Sequence, residues 1–251
     1  MNDSPLIDSR SWTNAEAIAR WDASFDRGKP FALDEEGDFV KRHLVNPQLL
    51  RLLGDVDGRR VLDAGCGNGY FARILAGRGA HVVGVEPASS RCGYAREREA
   101  DEPLGVEYVE ADLSALPDLG RFDAVVCSMV LMAIPDWRAA MRACVSALNP
   151  GGRFVFALVH PAFERLHRTW QEHGEYRMNE YLAEYEVPGP DSSDFHRPLS
   201  AYLNELSALG CRFVEMAEPR LDPAVAAADP DPALAAYVHL PNFVLVAADA
   251  P

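Results

Sequence analysis

Lysine is almost missing from the sequence: Lys29 and Lys41 stand against 22 arginines. The 38 acidic and 24 basic residues give a formal net charge of −14, and no run of bases offsets it locally. Nucleic acids and anionic membranes are bound through clustered Lys and Arg, so neither is expected as a partner. Cysteine is too sparse to make a framework. Cys66, Cys92, Cys127, Cys144 and Cys211 are odd in number and show no CxxC spacing, which excludes a disulfide scaffold or zinc knuckle and points to a reducing compartment. Long apolar runs are missing too. The longest, 124–134, is interrupted by Ser128 and is too short to span a bilayer, and MNDSPLIDSR lacks the apolar core of a secretory leader. These absences predict a soluble, cytoplasmic protein.

What is present is ordinary in bulk and specific in order. At 251 residues, 48% hydrophobic and 25% charged, the chain suits one α/β domain with insertions. Helical spacing runs over 14–27, with Asn14 as the expected cap, and over 37–53, where Pro47 should break the helix or start a new one. From Arg59 the segments RRVLDA, GCGNG, FARILAGR and AHVVGVE read as strand, loop, helix and strand. A helix over 88–100, strands over 105–109 and 122–127, and a helix over 136–148 continue the alternation. Pro150-Gly151-Gly152 reads as a turn into the strand RFVFALV. Strands joined by helical crossovers form a parallel sheet covered on both faces. Residues 160–198 break the rhythm with Phe163, Trp170, Tyr176, Tyr181, Tyr185 and Phe195, and hold four of the seven histidines. A helix over 198–209 and strands over 211–217 and 242–248 follow, with one short helix expected within 219–240.

The segment Asp63 to Gly69 is the most specific. Glycine at alternate positions permits positive φ and lets the backbone approach a ligand closely, and the helix N-terminus behind it favours electron-rich groups. A phosphate-binding GxGxxG loop would place its third glycine where Tyr70 stands. Here Gly69 comes one residue early and Asp63 precedes Gly65 by two, which suits a ligand with a cation or hydroxyls rather than a pyrophosphate. Glu86 ends the next strand, where a carboxylate can take both hydroxyls of a ribose. Asp112, in Glu110-Ala111-Asp112-Leu113, follows the third strand and can accept from an exocyclic amine. Acids at the ends of three successive strands mark the sheet edge at which open α/β proteins bind ligands.

In that order, VLDAGCGNGY, GVEP, EADL, FDAVVCSMVLMAIPDW and LNPGGRFVF resemble the motifs of class I S-adenosylmethionine-dependent methyltransferases, over Gly58 to Val159. The resemblance, closest to the small-molecule group, implies S-adenosylmethionine as cofactor. Asp63 with Gly65, Cys66, Gly67, Asn68 and Gly69 would hold its methionine portion, and Glu86, followed by Pro87, its ribose hydroxyls. Asp112 with the Leu113 amide would read the adenine, and Ser128, Met129 and Val130 would flank the sulfonium. Cys66 reads as a small loop residue and Cys127 as core. The implied fold is a Rossmann-like, mostly parallel seven-stranded sheet with helices on both faces, an antiparallel last strand and an inserted lid. A single domain over 1–251 would comprise a helical cap (1–57), the cofactor core (58–159), the lid (160–198) and a C-terminal helix and strands (199–251). Two departures matter. CSMVL lacks the Asn/Asp-Pro-Pro-Tyr stretch of enzymes that methylate nucleic-acid or glutamine nitrogens, and Ala133 stands where relatives often carry an acid.

The acceptor side is less explicit. His160, just past RFVFALV, is the first candidate for a general base, and His196 the second; each can equally serve as a strand-end cap or core histidine. Arg197 can pair with an acid or hold a substrate carboxylate. A metal held by His167 and His173 is disfavoured, since no tight acid or cysteine cluster accompanies them. The lid aromatics suit a substrate pocket or the lid's own core. Trp21 and Phe25 suit either closure over the cofactor or plain helix packing. From Glu172 to Asp194 the lid holds seven acids and one base, which favours a neutral or cationic small molecule. The expected function is methyl transfer from S-adenosylmethionine to an oxygen or nitrogen of such a molecule, in biosynthesis of a secondary metabolite. Two alternatives stand beside it: a non-methylating reaction such as cyclisation on the same fold, or a non-catalytic cofactor-binding protein. The oligomeric state is left open.

Overall fold

Alternation along the strands sorts apolar side chains onto two faces of one sheet. In β1 (Arg60–Ala64), Val61 enters one core cluster while Leu62 and Ala64 enter the other. β5 (Leu148–Val159) divides Val155 and Ala157 from Phe154, Phe156 and Leu158, and β9 (Phe243–Asp249) divides Leu245 and Ala247 from Val244 and Val246. Both sets are buried, as expected for a sheet with helices on each face. Each such Val, Leu or Phe contributes about 1.5–3 kcal/mol by leaving water. The computed structural model describes residues 12–28, 36–178, 180–189 and 193–251.

The remaining strands are β2 (His81–Val85), β3 (Glu107–Val109), β4 (Phe122–Ser128) and β8 (Arg212–Ala217). The order is β3-β2-β1-β4-β5-β9-β8; β1 to β5 are parallel, and β9 runs antiparallel to β5 and β8. Helices α3 (Tyr70–Ala76), α4 (Ser89–Asp101) and α5 (Trp137–Ser146) lie between successive strands. The seven-stranded, mostly parallel sheet expected from the sequence is therefore present. Pro150-Gly151-Gly152 is not a free turn but a bulge inside β5. Phe122 pairs with Leu148, whereas Ala124 pairs with Arg153, and Gly151 takes φ +71° to absorb the surplus chain.

The N-terminal part corrects one local expectation and bears out another. Helix α1 (Asn14–Ala23) is capped by Thr13, not Asn14: Thr13 Oγ1 accepts the Glu16 N–H and Glu16 Oε2 accepts the Thr13 N–H, a reciprocal capping box. Asn14 instead donates to Asp112 Oδ2 (3.2 Å) and Ser114 Oγ (2.9 Å), and its Oδ1 accepts the Asp136 N–H (2.9 Å). At the far end of α1, Asp22 Oδ1 accepts the Ser90 N–H (2.8 Å) at the start of α4. These bonds lay α1 across the edge where the parallel strands end. Pro47 starts α2 (Asn46–Leu53), directly after a π turn over Lys41–Val45 in which the Asn46 N–H reaches back to the Lys41 carbonyl.

The lid contains α6 (Leu166–His173) and an antiparallel hairpin of β6 (Tyr185–Pro188) and β7 (Ser193–His196), which the sequence does not announce. α7 (Leu199–Ala208) returns the chain to the sheet. Between β8 and β9 lie two short helices, α8 (Pro223–Ala228) and α9 (Ala236–His239), rather than one. Among the described residues no helix is long and apolar enough to cross a membrane.

Candidate active site

Parallel strands that end at one edge place their following loops together, and between those loops and α1 lies a cavity of about 450 Å³. Gly65, Gly67 and Gly69, after β1, all take positive φ (+80°, +57° and +79°). A Cβ on Gly65 would come within 2.5 Å of Val130, whereas one on Gly67 would meet nothing within 4 Å, so the loop is tight behind and open towards the cavity. Asp63, Gly65, Cys66, Gly67 and Asn68 line the cavity, as do Glu86 and Pro87 after β2 and Asp112 and Leu113 after β3. Ser128, Met129 and Val130, at the end of β4, complete the set. Of the residues singled out in the loops, Gly69 alone is outside this wall. Its lack of a Cβ makes room for the Tyr108 hydroxyl, which donates to the Gly69 carbonyl at 3.3 Å.

Two buried carboxylates dominate the electrostatics. Asp63 is 2% exposed, and burial, reinforced by the negative charge of Glu86, pushes its carboxyl up to about 7. Glu86 is also raised by burial, against the pull of the Ala88 and Gly67 amides, whose N–H groups it accepts at 3.0 Å each. Asp63 Oδ2 and Ser128 Oγ are buried without a hydrogen-bond partner, and both residues face the cavity. Such groups cost free energy until a ligand completes them. Met129 holds φ +61°, a left-handed conformation that costs a non-glycine residue about 1–2 kcal/mol. Burial raises the Cys66 thiol well above its ordinary range, which leaves it protonated and weakly nucleophilic.

Several further wall residues come from outside the loop motifs, and of these the sequence singles out only Trp21 as a candidate for the site. Asn14, Ala17, Ile18 and Trp21 roof the cavity from α1, and Asp38 and Lys41 close it from the segment before α2. Trp21 is in the wall with the Arg91 guanidinium 3.8 Å from its ring centre, whereas Phe25 packs edge-on against Tyr94 at 5.6 Å. Trp21 thus stands at the cavity, while Phe25, beyond the end of α1, packs against α4.

Neither histidine proposed as a base lines the cavity. His160 Nδ1 accepts the Ala162 N–H (3.1 Å), which puts the proton on Nε2, and that atom meets Glu218 Oε1 at 2.9 Å. Burial lowers its basicity against the opposing pull of Glu218, and its only lone pair is engaged. His196 Nε2 donates to the Tyr181 carbonyl (2.9 Å), and Nδ1 lies 2.9 Å from Glu164 Oε2 as an ion pair without hydrogen-bond geometry. Burial works against that charge, but Glu164 and the Tyr181 carbonyl outweigh it and raise the group above its ordinary value. Tyr185 stacks on the ring at 4.4 Å. Enclosed by these partners and outside the cavity wall, the ring is not placed to act as a base on a ligand there. Arg197 is buried and donates to the carbonyls of Leu131 (3.2 Å), Ile134 (2.9 Å) and Pro135 (3.3 Å), so it clamps the lid rather than binding a substrate carboxylate.

The lid aromatics do not enter the cavity wall either. Phe163, Trp170 and Tyr176 pack against the core, with Tyr176 donating to the Glu164 carbonyl. Only Ser193 and Asp194, of the described lid residues, reach the wall. His167 pairs with Asp231 at 2.7 Å, and His173 lies 3.8 Å from Glu172; among the described residues no three metal-ligating side chains come together.

Fold and site together define a class. Residues 62–156 match the model of the methyltransferase domain family, and the chain belongs to the class I S-adenosylmethionine-dependent methyltransferases. It is 32% identical over 166 residues to the ubiquinone biosynthesis O-methyltransferase of Alkalilimnicola ehrlichii, covering 64% of this chain and 66% of that protein. To the protein of the same name from Escherichia coli O7:K1 it is 31% identical over 166 residues, covering 64% of this chain and 67% of that one. The chain thus spans just under two thirds of the first relative's length. A crystal structure of an S-adenosylmethionine-dependent methyltransferase from Mesorhizobium loti superposes with a TM-score of 0.69 at 29% identity, over 81% of this chain and 96% of that one.

Proposed function

We propose that the chain transfers the methyl group of S-adenosylmethionine to a hydroxyl oxygen of a small molecule. The observation that carries this reading is the cavity itself: a glycine-lined wall, the raised carboxyls of Asp63 and Glu86, and the unpartnered Asp63 Oδ2 and Ser128 Oγ. These acceptors fit a ligand that carries an ammonium and a ribose diol. The cofactor supplies a methyl group already activated on a sulfonium. Asp63 and the Gly65–Gly69 loop would hold its amino-acid end, Glu86 its ribose, and Asp112 with the Leu113 amide its adenine. Ser128 to Val130 would stand beside the sulfonium. The roof formed by α1 excludes water and keeps the acceptor within near-attack distance, about 3–3.5 Å.

Oxygen as the acceptor atom comes from the names of the curated relatives, which concern ubiquinone biosynthesis rather than secondary metabolism. A mostly apolar wall, with acids as its main charges, supports a neutral or cationic acceptor. The test is calorimetric titration of S-adenosylhomocysteine, followed by incubation with methyl-labelled cofactor and hydroxylated acceptors. Binding in the micromolar range and label in an ether product are expected. Absence of binding, or product formed without label, would overturn the reading in favour of a non-methylating reaction.

A further inference from the structure

We propose that Asp194 takes the hydroxyl proton of the acceptor. The proposal rests on the methyl-transfer reading above and adds the base which that reading lacks. Asp194 stands on β7, opposite Val187 of β6, and lines the cavity. β7 packs on the turn Leu131–Ala133, which directly follows the Ser128–Val130 segment placed beside the sulfonium. The hairpin therefore presents this carboxylate at the wall where methyl transfer is expected.

The other cavity acids are engaged or assigned to the cofactor. Glu86 holds two backbone amides, Asp112 accepts from Asn14 and the Ser114 N–H, and Asp38 accepts the Lys41 N–H and pairs with Lys41 Nζ at 3.4 Å. Asp63, whose Oδ2 is unpartnered, is the acceptor assigned above to the cofactor's amino-acid end. Asp194 accepts no hydrogen bond among the described residues; it feels only burial and nearby charge. Burial, reinforced by the charge of Glu164 and opposed by Arg197, raises its carboxyl to about 6. A carboxylate at that value is ionised at neutral pH yet a far better base than an ordinary one. The groups that face it are Glu164 beyond the Pro161–Phe163 turn, Arg197 at the end of its own strand, and Tyr202 of α7; His196 is paired with Glu164, and Asp38 and Lys41 share the cavity. Around them Tyr70, Val40, Met132, Val159 and Phe243 supply the apolar wall.

The step balances. As the acceptor oxygen forms its bond to the methyl carbon, its O–H bond breaks and the proton passes to an Asp194 carboxylate oxygen. The electron pair of the old carbon–sulfur bond stays on sulfur. A methyl ether, a thioether and a neutral Asp194 result, and Asp194 then returns its proton to water.

The test uses the full chain with phenol, 1-naphthol and 4-tert-butylcatechol as acceptors and methyl-labelled cofactor. Asp194→Asn should lower kcat about 100-fold or more while KM and S-adenosylhomocysteine affinity stay within about twofold; Asp194→Glu should restore part of kcat. A readout free of cofactor is carbon-13 NMR of labelled aspartate. One carboxyl signal should titrate near pH 6, vanish in Asp194→Asn, and move to lower pH in Glu164→Gln, because a negative neighbour is gone. Wild-type kcat in Asp194→Asn, or an Asp194 signal titrating below about pH 4.5, overturns the proposal. Wild-type protein that binds S-adenosylhomocysteine but labels nitrogen acceptors only also overturns it. Failure to bind S-adenosylhomocysteine at all marks the failure of the methyltransferase reading instead.

Discussion

Glu86 serves the loop and the ligand with the same two oxygens. Oε2 accepts the Gly67 N–H and Oε1 accepts the Ala88 N–H, and each oxygen keeps a second lone pair for a ligand hydroxyl. Glu86→Gln replaces one acceptor by an NH₂ group that, in either orientation, opposes a backbone N–H and the ligand hydroxyl beside it. Affinity for S-adenosylhomocysteine should fall about 10- to 100-fold, read by calorimetry, while removal of the buried charge offsets part of the stability lost with the backbone hydrogen bond. An unchanged affinity would take Glu86 out of the ligand's reach. At this scale the strand-end acids are legible in sequence, because strand register alone puts Asp63, Glu86 and Asp112 at one edge. The histidines are not. Their positions beside the sheet edge are readable, but the partners that face their ring nitrogens, Glu218 and Glu164, are set by tertiary contacts. Asn14 is hidden for the same reason, its Asp112 partner being 98 residues away.

Among the elements, the lid depends on Arg197. Its guanidinium joins the end of β7 to three carbonyls of the Leu131–Pro135 segment, and it lies between Trp137 (5.6 Å) and Phe195 (5.3 Å). Arg197→Ala leaves those carbonyls without a donor and opens a void between the rings, a loss of about 2–4 kcal/mol. The melting temperature should fall by about 5–15 °C. Hydrogen exchange should accelerate in 131–135 and 193–197 while β1 and β2 stay protected; uniform acceleration would mean that the clamp is not local. Arg197→Lys keeps the charge but not the planar fork and should recover only part of the loss. The core over 58–159 is legible because apolar strands and helices repeat locally at their own periods. The hairpin β6–β7 is not: its strands are only four residues each, no residue of Tyr185–Pro188 is fully buried, and β7 buries the polar Ser193 and His196 beside Phe195. The bulge at Pro150-Gly151-Gly152 looks like a turn because a local signal cannot show that β4 and β9 continue on either side.

For the whole molecule, what matters is where the acids sit, not only the net charge of −14. Asp123 is held below the ordinary carboxylate range by the Arg60 N–H and Asn149, and so stabilises the fold above its unfolded value and loses that contribution as pH falls. Asp63 and Asp194 act in the opposite sense. Their folded values, about 7 and about 6, lie above the unfolded one, so the folded state binds more protons between roughly pH 4 and 7. Their favourable contribution is complete below about pH 4 and is lost as pH rises through 6 and 7. Asp63→Asn removes the larger of the two penalties, because the amide stays neutral at every pH. In the ligand-free protein its melting temperature should match wild type near pH 4 and exceed it by roughly 5 °C at pH 8. Affinity for S-adenosylhomocysteine should fall in the same variant, since the unpartnered Oδ2 is the acceptor proposed for its amino group. A variant that gains stability at high pH and loses affinity would show that the fold tolerates a destabilising buried charge for the sake of its ligand. Equal stability at pH 8 would mean that Asp63 is ionised and satisfied in the free protein, and would remove the electrostatic ground for the site.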